Sequence, residues 1–251
     1  MEIAIIAEGI TDVITIKNIL KGKLGIDSSD IRVLRPEYSF DNTDIKDSNI
    51  DKFSNWEIVK EECCSRDKIK TFLDSPLLDE RRVIISIDTD QIEHENFDLK
   101  RPEKNEETKK NLEEYSETLV NLVKEKMKEW LENEFIENIR FAIAVEEIEA
   151  WVLTLYQNHL QNTKDTSSYE NPKIKLELLE KKLNNLSLDF SKKKKPNEKK
   201  RFKKSTKDSS KKKKPNEKKR FEKLTKGFSK KKELKECIKH NKSLEIFYNS
   251  I

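Results

Sequence analysis

The sequence predicts an α/β fold, a mostly parallel four-stranded sheet flanked by helices, with a helical C-terminal part and a basic repeat. Three observations carry that prediction. Four short runs, 3–7, 31–35, 83–87 and 139–145, read as strands, and the largely apolar, β-branched 3–7 and 83–87 mark strands buried on both faces. Between them lie segments whose apolar residues recur at helical spacing, the strand–helix alternation of a parallel sheet with right-handed crossovers. Three of the four runs end directly on carboxylates, and open sheets of this kind take ligands outside the carboxyl ends of their strands.

The first run, Ile3-Ala4-Ile5-Ile6-Ala7, stops at Glu8-Gly9. A glycine there lets the backbone turn sharply and approach a ligand closely. Val13, Ile16, Ile19 and Leu20 then repeat at helical spacing to about residue 22, with Thr11 or Asp12 as the expected N-cap. Glu8 has no capping role to explain it, which makes it a candidate ligand; Asp12 divides between cap and ligand.

The second run, Ile31–Arg35, precedes Pro36, and 37–55 reads as an irregular polar connection. Trp56 to Leu73 reads as one helix. The third run, Val83-Ile84-Ile85-Ser86-Ile87, ends at Asp88-Thr89-Asp90. After a charged loop over 91–107, a long helix over 108–134 carries Leu112, Tyr115, Leu119, Leu122, Val123, Met127, Trp130 and Leu131 as one stripe. The fourth run, Ile139–Val145, continues into Glu146, Glu147 and Glu149, and Glu149 opens another helix. His159 follows that helix, where a cap or surface role is commoner than metal ligation. Asn171-Pro172-Lys173 starts a helix with proline in its first turn and Ile174, Leu176, Leu179 and Leu183 as its apolar residues. Lys173 at that start can reach a phosphate.

From Ser191 the composition changes. The segment Ser191–Phe202 recurs identically as Ser210–Phe221, and one phenylalanine per copy is too little apolar surface for a solenoid core. It reads as a duplicated basic loop, mobile or partly helical, that attracts nucleic acid through Lys200, Arg201, Lys219 and Arg220, with Phe202 and Phe221 available to stack on bases. Leu234 to Ile251 regains periodicity and is expected to pack back as a terminal helix. The expected organisation is thus an α/β domain over 1–155, a helical extension over 156–190, the Lys-rich repeat over 191–232 and the terminal helix over 233–251.

Charge follows this division. Residues 191–251 hold 25 Lys/Arg against 7 Asp/Glu, whereas 1–190 hold 27 against 41, so the overall +4 hides an acidic body and a basic end. A basic end meets a phosphate polymer; an acidic body needs a cation to accept one. Three cysteines, two of them adjacent, form neither a disulfide framework nor a zinc spacing. The N-terminus lacks a basic leader and no run is long enough to span a bilayer, so a reducing, cytoplasmic setting and no membrane partner are expected. The absence of a Gly-x-x-x-x-Gly-Lys loop argues against nucleotide hydrolysis.

A parallel sheet gathers its strand ends along one edge. Glu8, Asp88 and Asp90, with Asp12 and the Glu146, Glu147 and Glu149 segment, are therefore expected to form one acidic pocket, whose mutual repulsion calls for a divalent metal. Hard oxygen donors favour Mg²⁺ or Mn²⁺. Such ions orient a phosphodiester, activate water and stabilise the leaving oxygen, which is the hydrolysis of a DNA or RNA backbone.

These residues carry a resemblance. Glu8-Gly9-Ile10-Thr11-Asp12 after the first strand and Asp88-Thr89-Asp90 after the third look like the two signature motifs of the TOPRIM domain. That domain is shared by topoisomerases, bacterial primases, small ribonucleases and the overcoming-lysogenisation-defect nucleases. The resemblance implies that Glu8, Asp88 and Asp90 hold the catalytic metal, to which the acidic pocket adds Glu149. Glu146-Glu147-Ile148-Glu149-Ala150-Trp151, Asn171-Pro172-Lys173 and Ser243-Leu244-Glu245-Ile246-Phe247 are similar to compact bacterial TOPRIM-like proteins. That similarity implies a metal-dependent nuclease of phage defence with an ABC- or SMC-like ATPase partner, and it leaves homo-oligomerisation open. The Lys-rich duplication lies outside the family pattern. The chain is too short for strand passage, no tyrosine stands out as a covalent nucleophile, and zinc ribbons are absent.

Two rival readings remain. Haloacid-dehalogenase-like phosphatases also place Asp-x-Asp after a strand, but after the first one and followed by threonine, whereas Ile92 stands at that position here. The other rival is a non-catalytic nucleic-acid-binding or regulatory subunit of an ATPase complex.

Overall fold

The computed structural model describes residues 1–36, 55–74, 80–103, 111–160, 165–193 and 217–251. The expected connection over 37–54, and Lys200, Arg201 and Phe202 of the first repeat copy, lie outside the described residues. Four strands, β1 (Glu2–Ile6), β2 (Ile31–Arg35), β3 (Arg81–Asp88) and β4 (Ile139–Ala144), form one sheet in the order β2-β1-β3-β4. The sheet is parallel throughout. Ile6 lies opposite Ile85 and Asp88 opposite Ala144, so β1, β3 and β4 finish at one edge.

Alternation along the strands sends Ile3, Ile5, Ile84 and Ala142 to one layer and Ala4, Ile6, Val83, Ile85 and Ile87 to the other. The first layer is closed by α1 (Ile10–Leu24), α5 (Glu149–Leu153), α6 (Pro172–Lys193), α7 (Glu217–Leu224), α8 (Lys231–Cys237) and α9 (Lys242–Ser250). The second is closed by α2 (Asn55–Ser65), α3 (Asp67–Leu73) and α4 (Leu112–Trp130). Full burial of one isoleucine contributes about 1.5–3 kcal/mol, so strands covered on both faces hold the edge residues on a rigid base.

Several elements depart from expectation for local reasons. The single helix expected from Trp56 to Leu73 is two, α2 and α3, broken where Arg66 takes φ +60°. An apolar periodicity does not register a left-handed backbone at a residue other than glycine. Helix α4 is shorter than 108–134, and its buried stripe uses Ser116 and Val120 while Leu122 is exposed. Helix α1 starts at Ile10 with Gly9 as N-cap in place of Thr11 or Asp12, and Asp12 Oδ2 reaches back to accept the Gly9 N–H at 2.8 Å.

The C-terminal region is built into the core. Phe221 is 1% exposed, so it cannot stack on bases as expected, and Leu224 and Phe228 are buried with it. Asn18 Nδ2 donates to Thr225 Oγ1 at 2.8 Å. Gly22 sits so close to this segment that a Cβ there would lie 1.9 Å from the Phe228 carbonyl oxygen. Residues 217–232, read as the end of an accessory repeat, therefore help to close the first layer. The expected single terminal helix is two, α8 and α9, separated by a 3₁₀ turn at Ile238–His240. Helix α9 packs along β4 and α4 and shields the sheet edge, with Phe247 stacked on Trp151 at 5.5 Å between ring centres.

Candidate functional site

The chain leaves β1 for β2 on one side and returns to β3 on the other, so the order in which strands are added reverses between β1 and β3. Parallel sheets open a crevice at such a reversal, above the carboxyl ends of the two strands. Glu8 stands just past β1 and Asp88 is the last residue of β3. The Asp88 main-chain N–H donates to Glu8 Oε1 at 2.7 Å, which ties the two strand ends together.

Asp88 Oδ1 is buried and has no hydrogen-bond partner. A buried carboxylate oxygen left bare is costly, and native interiors rarely keep one without a use for it. Ser86 Oγ, on the same face of β3, is likewise buried without a partner. The facing β4 residues, Ala142 and Ala144, bring no polar side chain to either group.

Five carboxyl groups in this region are held above their ordinary range. Burial is the largest cause for each. Glu8 is pushed up to about 8, with the Asp12 and Asp90 charges adding to burial and the Asp88 N–H opposing it. Asp12 rises to about 6 against the relief from the Gly9 N–H and the Lys173 ammonium. Glu149, 7% exposed, is pushed up to about 7, with Glu147 and Asp12 adding and Lys173 opposing. Asp90, an exposed residue, is raised by desolvation and by Glu147 and Glu146. Asp88 stands well above the carboxylate range because it is buried among the charges of Asp12, Glu8, Glu149 and Asp90. Strand ends far apart in sequence thus form one electrostatic unit.

The loops after β3 and β4 are locked to each other. Thr89 N–H donates to the Ala144 and Glu146 carbonyls, Asp90 N–H donates to the Glu146 carbonyl, and the Glu146 N–H donates to Thr89 Oγ1 at 2.8 Å. Glu146 takes φ +63°, a conformation that costs free energy in a residue other than glycine and persists only where neighbours enforce it. Arg101 clamps both loops: Nη1 donates to Glu146 Oε1 at 2.7 Å and Nη2 donates to the Thr89 carbonyl. Sequence reasoning missed Arg101, because one arginine in a charged loop carries no periodicity or motif. A second tie runs through α9. Trp151 Nε1 donates to Ser243 Oγ at 2.8 Å, and Ser243 donates to Asn241 Oδ1, itself the N-cap of α9.

The structure thus gathers Glu8, Asp12, Asp88, Asp90, Glu147 and Glu149 at the sheet edge, in unequal roles. Asp12 Oδ2 is engaged by the Gly9 N–H, and Glu147 Oε2 accepts the Lys173 N–H at 3.0 Å. Lys173 is exposed at the start of α6, near enough for its charge to be felt by Asp12 and Glu149. Lys219 is exposed on α7, whereas Arg220 is ion-paired with Glu180 of α6. His159 is exposed at the end of a 3₁₀ segment. Among the described residues no group of three or more His, Cys, Asp or Glu side chains is arranged as it stands to hold a metal ion. No helix of the described residues is long and apolar enough to cross a membrane. No protein-family model, curated protein sequence or solved structure matches the chain.

Proposed function

We propose that this chain is a divalent-metal-dependent nuclease that hydrolyses phosphodiester bonds of nucleic acid, with Glu8, Asp88, Asp90 and Glu149 as its working carboxylates. The observation that carries the reading is Asp88 Oδ1, bare and buried among four other acids at the reversal point of the sheet. An all-carboxylate donor set fits a hard cation, so Mg²⁺ or Mn²⁺ suits these residues and a thiolate- or imidazole-seeking metal does not. Asp88, Glu8, Asp90 and Glu149 would hold the ion, Glu8 through the oxygen that the Asp88 N–H leaves free; Asp12 and Glu147 would support them. When bound, the cation supplies Lewis-acid polarisation of the phosphodiester and a more acidic water.

The chain's own residues then have distinct tasks. Glu8 is oriented by the Asp88 N–H. Glu149, buried beside Glu147 and Asp12, completes the carboxylate set on the β4 side of the crevice. Lys173, exposed and with its charge felt by Asp12 and Glu149, would meet a phosphate. Arg101 and Glu146 keep the loops after β3 and β4 at a fixed separation. The resemblance of Glu8-Gly9-Ile10-Thr11-Asp12 and Asp88-Thr89-Asp90 to TOPRIM motifs supports the same reading. The test is incubation of the full chain with end-labelled DNA and RNA, with EDTA, Mg²⁺ or Mn²⁺. Metal-dependent cleavage lost in Asp88→Asn is expected. Binding without cleavage in any metal would favour a non-catalytic nucleic-acid-binding subunit instead.

A further inference from the structure

We infer that α1, α7 and α8 form a folded basic ridge that binds the phosphate backbone of nucleic acid and leads it to the acidic crevice. This rests on the proposed nucleic-acid substrate and adds where that substrate lies. Residues 217–235 hold nine Lys/Arg against three Glu, and they are fixed in place through Phe221, Leu224 and Phe228. Lys17 and Lys21 on α1 are one helical turn apart, and Lys17 lies close enough to Lys218 of α7 for the two like charges to be felt. Lys17 is partly buried, and desolvation as well as Lys218 lowers its proton affinity. Lys17, Lys223, Lys226 and Lys231 form no ion pair among the described residues. Lysines held on a packed surface without ion-pair partners of their own raise a positive potential that a polyanion neutralises.

Direction and distance link the ridge to the crevice. Helix α1 begins at the crevice, with Gly9 as its N-cap, and a rise of 1.5 Å per residue puts Lys17 about 12 Å further along its axis. That is three to four steps of about 3.4 Å along one nucleic-acid strand. A backbone lying on Lys17 and Lys218 therefore reaches Lys173 and the carboxylates within a few nucleotides. A lipid surface suits this ridge less well. Among the described residues the exposed large apolar side chains are Met1, Leu24, Leu122, Ile174 and Leu178, of which only Leu24 lies on these three helices. Basic helices that lodge in a bilayer surface carry an apolar face beside the lysines.

The test is fluorescence anisotropy of the full chain with a labelled 30-nucleotide strand and a 30-base-pair duplex in EDTA, from 50 to 200 mM salt. The exposed triple variant Lys223→Glu, Lys226→Glu, Lys231→Glu is compared with a control of equal charge on α4, Lys124→Glu, Lys126→Glu, Lys128→Glu. A third variant, Lys17→Gln, is checked for an unchanged melting profile. The ridge variant is expected to bind at least tenfold more weakly, with a salt slope shallower by about 2; the control is expected to lose less than a third of that effect on a logarithmic scale. Equal losses in ridge and control variants would overturn the inference, as would binding to anionic phospholipid vesicles with none to nucleic acid. Because no metal is present, the outcome does not depend on whether the crevice cleaves.

Discussion

The Asp88 main-chain N–H donates to Glu8 Oε1 at 2.7 Å, while the Asp88 side chain keeps Oδ1 buried and bare. One residue therefore both orients a neighbouring acid and offers an unused oxygen. Asp88→Asn should replace an acid whose ionisation its burial and neighbouring carboxylates oppose, and keep the N–H. In EDTA at pH 8 the variant is expected to melt roughly 2–6 °C above the parent, a gain of about 1–2 kcal/mol for a chain of this size. Differential scanning calorimetry checks this, and a lower melting temperature would mean that the acid is structural.

The pH dependence follows from the same crowding. Glu8 rises from 4.5 to about 8, Glu149 from 4.5 to about 7 and Asp12 from 3.8 to about 6. Between the ordinary and raised values the folded chain holds protons that the unfolded chain has released. Stability is then fully present below about pH 4 and is lost as pH rises through 6 to 8. In EDTA the urea midpoint should fall by roughly 1 M between pH 5 and pH 8.5. Adding Mg²⁺ at pH 8 should recover it, because a cation that binds only the folded state adds stability by mass action. A midpoint that rises over this range contradicts the pocket's electrostatics.

Gly22→Ala separates packing from propensity. In an exposed helix interior the change stabilises by about 1 kcal/mol. Here the new Cβ would lie 1.9 Å from the Phe228 carbonyl oxygen, so a loss of about 1–3 kcal/mol is expected in urea titration.

Deletions distinguish the two halves of the duplication. Removing one period, 191–209, leaves the sequence Ser-Lys-Lys after Phe190 and every residue from 217 onward. That variant should still fold, by circular dichroism and gel filtration. Removing 191–232 also takes Phe221, Leu224 and Phe228 from the first layer, at about 3–5 kcal/mol for each phenylalanine. It should be unfolded or aggregated.

Much of this arrangement could be read from sequence because its signals are local. Runs such as Ile3–Ala7 and Val83–Ile87 need two buried faces, and acids immediately after them have one edge to occupy. The order β2-β1-β3-β4, with its reversal between Glu8 and Asp88, is a tertiary property, and so is the absence of a partner for Asp88 Oδ1. Phe221 misled because a phenylalanine among lysines has the composition of a solvated segment. Its burial depends on α1, some 200 residues earlier, which carries Asn18 and Gly22 on the face that receives it. Arg101 and the left-handed Glu146 were invisible for the same reason, since each is defined by partners on another loop.

The proposed nuclease requires that the crevice between β1 and β3 take a divalent cation through Asp88. Isothermal titration of Mn²⁺ into the full chain at pH 8, beside Asp88→Asn and Glu8→Gln, tests it directly. Saturable binding by the parent is expected, with at least tenfold weaker binding by each variant and both variants folded. Equal Mn²⁺ affinity in all three proteins would contradict it.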